Sequence, residues 1–158
     1  MNIYDIWFSR IDISNDVKLR LLEKFDVTTL WNFTNNELFE LGLLESTINQ
    51  ILDNNYRNNL EKYVRYFAKN GIELITVKQA NYPVKLLNIS SRPAYIYVRG
   101  NKEILDDDSV AIIGSRQCTE NGKRLAYNTA KELGNKNINT ISGLAIRYWY
   151  LCSQRKFR

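Results

Sequence analysis

Val110-Ala-Ile-Ile-Gly-Ser-Arg116 is a short β-branched apolar run that stops abruptly at a Gly-Ser-Arg turn, with Thr119-Glu-Asn-Gly122 and a helix-like stretch behind it. A strand that hands the chain to a helix through small residues leaves backbone N–H groups free at the turn, in a cradle the size of a phosphate. Ile138-Asn-Thr-Ile141 ends the same way, at Ser142-Gly143. Between these runs, residues 121–133 carry Leu125, Ala126, Thr129, Ala130 and Leu133 at helical spacing. Strand, helix and strand in so short a span form a βαβ unit, which predicts that the two strands, 110–113 and 138–141, are parallel. Two such strand ends side by side, with small residues and a cation, make an anion site at the carboxyl edge of the sheet.

Upstream, two more strands are expected, over 72–77 and over 94–100; the second is entered through Pro93 and closed by Gly100-Asn101. Asn70-Gly71 marks a helix stop, and before it the pattern is helical. Ser14 is a plausible cap for a helix carrying Val17, Leu19, Leu21, Leu22 and Phe25, and Thr34 or Asn35 caps one carrying Leu38, Leu41 and Leu44. A third helix over 46–68 places Ile48, Ile51, Leu52, Tyr56, Leu60, Tyr63, Val64 and Phe67 on one side, and its Asn54-Asn55 and Asn58-Asn59 pairs predict a break. The expected organisation is α/β. A small helical domain over 1–68 precedes an incomplete Rossmann-like, parallel-sheet domain over 69–146, with an aberrant tail over 147–158.

Composition bounds the chemistry. The 158 residues contain no histidine, and Cys118 and Cys152 stand far apart with no second cysteine near either. Thiolate and imidazole metal sites therefore lack ligands, and Ser-His-Asp or Cys-His catalysis is excluded. Asp106-Asp-Asp108 reads as a solvated acidic turn rather than a catalytic pair. No catalytic residue, metal or cofactor is expected. Net charge is +5, unevenly spread: residues 1–65 hold 7 Lys and Arg against 10 Asp and Glu, residues 66–158 hold 15 against 7. A basic second half suits an anionic partner, although Arg147, Arg155, Lys156 and Arg158 supply four of its cations. No apolar run approaches the roughly 20 residues that span a bilayer, and the N-terminus lacks a signal-peptide pattern, so cytoplasm is the default expectation.

Taken alone, the Gly-Ser-Arg turn is weak: a glycine after a strand more often serves packing. It also lacks the G-x-G-x-x-G fingerprint, the next glycine being Gly122, so dinucleotide binding is disfavoured. The ordered set is far more specific. Tyr82-Pro83, Arg92-Pro-Ala-Tyr-Ile-Tyr-Val-Arg-Gly100, the 110–116 run with Thr119 and Gly122, and Ser142-Gly-Leu-Ala145 follow one another at a spacing that resembles the DNA-processing protein A family (DprA, also called Smf). The resemblance covers the chain up to Ala145, including the helical leader with Lys18-Leu-Arg-Leu-Leu-Glu-Lys-Phe25.

That resemblance implies a helical, sterile-alpha-motif-like leader, a Rossmann-like domain, and sequence-tolerant binding of single-stranded DNA in natural transformation. It also implies loading of the RecA recombinase, no catalytic chemistry, and homodimers in full-length relatives. By its motifs, Gly114, Ser115 and Arg116 fall where the family meets the DNA backbone, with Ser142 and Gly143 on the neighbouring strand end. The physics of the residues agrees. N–H groups after Gly114 and at the helix start, near Gly122, can donate to phosphate, Arg116 grips it with a forked cation, and Lys123 and Arg124 extend the track. Tyr127 is a candidate for base stacking, with packing under the sheet as the plainer alternative.

After Ala145 the pattern breaks. The family continues with a Gly-Ile-Asp step and an Ala-His pair, whereas this chain reads Ile146-Arg-Tyr-Trp-Tyr-Leu-Cys-Ser-Gln-Arg-Lys-Phe-Arg158, with no Asn. With one choice of synonymous codons, a single-nucleotide shift of frame converts this tail into a series close to the family's. The expected identity is a truncated, frameshifted member of the family. Its DNA binding would be impaired, and an apolar face and sheet edge would be left open. Two rivals stand beside it: a Rossmann-like nucleotide-phosphate hydrolase, for which the strand ends offer Glu120 alone, and an inactive pseudogene product.

Overall fold

The structure, a computed structural model, describes residues 2–115 and 118–143. Arg116, the motif residues after Gly143 and the whole tail over 147–158 lie outside the described residues. The chain is a mixed α/β protein that divides into two compact units, Met1–Lys102 and Glu103–Arg158.

In the first unit, seven helices precede a hairpin-like strand pair. They are α1 (Ile3–Arg10), α2 (Asn15–Lys24), α3 (Val27–Asn32), α4 (Asn35–Glu40), α5 (Glu45–Leu52), α6 (Asn54–Arg57) and α7 (Leu60–Asn70). Local chemistry sets their ends. Ser14 caps α2 by accepting from the Val17 N–H, and Thr34 and Glu37 form a reciprocal capping box at α4. The helix expected over 46–68 is three pieces. Asp53 caps α6 through the Asn55 N–H, and Asn59 takes a left-handed conformation (φ 59°) that separates α6 from α7. Gly71 ends α7 with φ 61°, a backbone state that costs glycine little.

Then β1 (Ile72–Thr76) and β2 (Tyr95–Arg99) pair antiparallel, Ile72 opposite Arg99 and Thr76 opposite Tyr95, with the short α8 (Val84–Leu87) in the connection. They form a sheet of their own, so the parallel part expected downstream of residue 69 is confined, among the described residues, to the last two strands. A parallel crossover needs a helix long enough to run back along the sheet, and α8 has four residues. The pair packs on the helices: Leu74 and Ala94 belong to the same buried cluster as Ile6, Trp7, Phe8, Leu30, Leu38, Ile48 and Ile51. Polar ties reinforce this contact. The Tyr95 hydroxyl donates to Asp5 Oδ1 (3.2 Å), and Lys78 Nζ donates to the Phe25 carbonyl (3.3 Å).

Lys18 is an exception to the polar surface of α2. It is 7% exposed, its ammonium donates to the Ser9 carbonyl (2.9 Å), and burial pulls its pKa down to about 8, opposed in part by Asp12. Between about pH 8 and the ordinary value of 10.5, the unfolded chain keeps this proton and the folded chain has lost it. Raising pH through that window therefore favours the fold, by at most about 3 kcal/mol. Urea midpoints measured across the window should rise with pH in the native protein and stay flat in Lys18→Met. A rise that persists in the variant would assign the effect to other groups.

The second unit starts with a 3-10 turn over Glu103–Asp106, followed by β3 (Ser109–Ala111), α9 (Glu120–Asn135) and β4 (Asn139–Ile141). β3 and β4 are parallel, Ser109 opposite Asn139 and Ala111 opposite Ile141, as the βαβ reading requires. The Ile112 N–H donating to the Ile141 carbonyl (2.9 Å) carries the pairing one residue further. Although 110–113 is an apolar run, the strands are not buried: Ile113 just past β3 is 88% exposed and Ile141 58%. One helix on two strands covers only a narrow stripe. Ala126 is buried and Ala130 and Leu133 half-buried, while Leu125, expected on the same side, is 69% exposed.

Candidate nucleic-acid interface

Parallel pairing fixes where the chemistry gathers. Both strands of the second unit run in one direction, so Gly114-Ser115 after β3 and Ser142-Gly143 after β4 emerge at the same carboxyl edge. The crossover helix must start there too, and α9 begins at Glu120. Gly114, Ser115 and Gly143 are exposed and Ser142 half-buried. Among the described residues, an added Cβ at Gly143 would meet nothing within 4 Å, and its φ is not in the left-handed region. Close approach by a ligand is a use for that gap that the protein's own packing does not supply.

The helix start is organised differently from the sequence expectation. Thr119 caps α9: its hydroxyl accepts from the Gly122 N–H (3.2 Å), and its carbonyl accepts from the Lys123 N–H (3.0 Å). The Gly122 N–H is thus occupied by the cap. Lys123 forms an ion pair with Glu120, one turn back. Such an exposed pair is worth little and exchanges readily for a stronger anion, but it does place a carboxylate beside the cation. Glu120, the acid weighed for hydrolysis, is held in that pair. Tyr127 is exposed rather than packed beneath the sheet. Arg116 belongs to the connection between β3 and α9 and lies outside the described residues.

The acidic run sits at the other end. Asp108 accepts at its carbonyl from the Asn139 N–H (3.0 Å), and Asp107 accepts at its carboxylate from the Asn139 side-chain amide (3.3 Å). Asn139 opens β4 opposite Ser109, the first residue of β3, so these acids stand at the amino edge of the sheet. The Asp107 and Asp108 carboxylates thus stand at the edge opposite the small residues after β3 and β4, while the Glu120–Lys123 pair lies at the start of α9.

Other motif residues turn out to be structural. Tyr82 is buried, and its hydroxyl donates to the Pro93 carbonyl (2.7 Å), closing the loop between β1 and β2. The sequence reading missed an aromatic surface on the first unit, where Tyr66 and Tyr97 are exposed. The only signal for it was the interleaving of Lys62, Tyr66 and Lys69 on one helix.

Comparison with known proteins finds a family to which part of the chain is similar. Residues 73–147 match the family described as DNA recombination-mediator protein A. A curated relative, DNA processing protein DprA of Bacillus subtilis (strain 168), is 29% identical over 87 residues. That match takes in 54% of this chain and 29% of the relative, so it spans under a third of the relative's length.

Proposed function

We infer that this chain, whose residues 73–147 match the DNA recombination-mediator protein A family, belongs to that family and is a DNA-processing protein whose working part binds single-stranded DNA by its phosphates. The observation that carries the reading is the shared carboxyl edge. Two parallel strand ends, Gly114-Ser115 and Ser142-Gly143, meet the capped start of α9 in a sheet whose acids lie at the far edge. Backbone N–H groups and cations at such an edge recognise phosphate without reading bases, which suits a protein that must coat any sequence. Residues 69–146 form the DNA-binding part, Gly114, Ser115, Arg116, Gly122, Lys123, Ser142 and Gly143 its contacts.

The role is binding rather than catalysis. Loading of RecA onto the bound strand during transformation, in the cytoplasm, and pairing of two copies complete the family role. Val110, Ile113, Leu125 and Ile141 are exposed among the described residues, an apolar surface beside the proposed DNA-binding edge.

Arg116→Ala tests the site. The substitution should weaken binding of a fluorescent single-stranded oligonucleotide by roughly 1–3 kcal/mol, the worth of a charge-assisted hydrogen bond. Its urea midpoint should match the native one. A lowered midpoint with unchanged affinity per folded molecule would make Arg116 a structural residue.

A further inference from the structure

The first unit holds a groove of about 490 Å³ between α7 and β2, lined by Arg10, Lys62, Tyr63, Tyr66, Phe67, Ile72 and Tyr97. Its floor is rigid. Arg10 lies over the Tyr63 ring (3.8 Å), donates to the Tyr63 hydroxyl (2.9 Å) and also reaches the Tyr56 carbonyl (3.3 Å). Phe67 is buried, with the Tyr97 ring 5.3 Å and the Tyr66 ring 6.1 Å away. The Tyr97 hydroxyl is anchored on the Ser9 hydroxyl, which itself donates to the Ile6 carbonyl. Yet these two rings are open to solvent, Tyr66 by 56% and Tyr97 by 47%. Pre-ordered, exposed aromatic faces lose little entropy when a flat partner stacks on them.

The rim is basic. Lys62, Tyr66 and Lys69 recur at spacings of four and three along α7, so both lysines flank the exposed ring. Arg99 lies on the Tyr97 side of β2, opposite Ile72. Among the described residues, no ion pair engages Lys62, Lys69 or Arg99. The nearby carboxylates point elsewhere: Glu73 alternates to the other face of the strand pair, where Lys102 holds it (2.9 Å), and Glu61 lies across α7 from Tyr63. Flat aromatic faces inside a ring of unpaired cations complement unpaired bases on a phosphate backbone.

We propose that this groove is a base-stacking site for single-stranded nucleic acid, formed by Tyr66 and Tyr97 with Lys62, Lys69 and Arg99 taking phosphates. It is made of residues separate from the phosphate cradle after β3 and β4. The choice of occupant rests on the proposed DNA binding; the groove's geometry does not.

The test is photocrosslinking of the full chain to oligo(dT) carrying 5-iododeoxyuridine, with peptides mapped by mass spectrometry. Crosslinks at Tyr66 or Tyr97 are expected. Tyr66→Ala, which removes an exposed ring, should abolish its own crosslink and weaken oligo(dT) binding by about tenfold, the order of one stacked base. Binding of an abasic oligomer of equal length should be unchanged. Crosslinks confined to residues 103–158 with unaltered Tyr66→Ala affinity would overturn the groove and leave the carboxyl-edge reading standing. Absence of binding altogether would overturn both. A change of oligomeric state in Tyr66→Ala without a change in DNA affinity would overturn the proposal by giving the groove to a second copy of the chain.

Discussion

Trp7→Ala should cost the first unit about 3–5 kcal/mol, the usual range for deleting a fully buried aromatic side chain. Trp7 has no solvent exposure and stands edge-on to Trp31 at 5.0 Å, with Phe8 5.6 Å away. Arg57 closes the cluster. Its guanidinium lies over the Trp31 ring at 4.6 Å and the Trp7 ring at 5.5 Å, and it donates to the Trp31 carbonyl at 3.0 Å. Truncation leaves a large hole, and it also strips a ring from beside a partly desolvated cation. α1 carries Trp7 and packs against α3, α6, α7 and β1, so the hole is felt by most of the unit. Trp7→Phe should cost much less, because the indole N–H has no protein partner among the described residues and its loss breaks no hydrogen bond. Chemical unfolding followed by far-ultraviolet circular dichroism measures both. Equal losses in the two variants would show that indole size is not what the core depends on.

α1 also shows where the sequence was silent. Ile6, Trp7 and Phe8 are consecutive, and all three are fully buried. Helical periodicity marks a helix that buries one stripe, and this helix is enclosed on several sides, so no stripe stands out. α3 is six residues long and α8 four, too short for a period to register. The capped elements were legible because their signals are local: Ser14 and Thr34 at helix starts, Gly71 at a helix end, the Asn pairs at breaks. The parallel pairing of β3 and β4 was also legible, since the length of the crossover leaves little choice. Their burial was not, because it depends on neighbouring strands and helices that a single βαβ unit does not supply. At the site, small residues marked the strand ends, but the residue that satisfies the Gly122 N–H is set by the cap geometry of Thr119. The groove on α7 was hidden because Tyr63 and Phe67 do face the core, and Tyr66, one position away, reads as part of the same apolar run.

Single-stranded DNA affinity should fall by about a thousandfold between about 20 mM and about 500 mM monovalent salt. That is the fall expected from the three cations proposed at the carboxyl edge alone, since the slope for single strands is about −0.7 per phosphate neutralised, and phosphates taken at the α7 groove would steepen it. The three are Arg116, in the sequence between β3 and α9, and Lys123 and Arg124 in the first turns of α9. Lys123 must exchange the Glu120 carboxylate for phosphate, and this exchange has a readable consequence. Glu120→Gln frees the lysine, so binding at low salt should tighten by a few-fold while the salt slope changes little, the same cations being neutralised. Arg124→Ala should reduce the slope by close to one phosphate's share, because that side chain has no ion-pair partner among the described residues and acts as a simple counter-charge. Fluorescence anisotropy at a series of salt concentrations gives slope and intercept separately. A slope near zero with strong binding at all salts would mean that stacking alone holds the strand, moving the main contact from the phosphate cradle to aromatic surfaces. A steep slope unaffected by substitutions at Arg116, Lys123 and Arg124 would place the phosphate track on other cations of the chain.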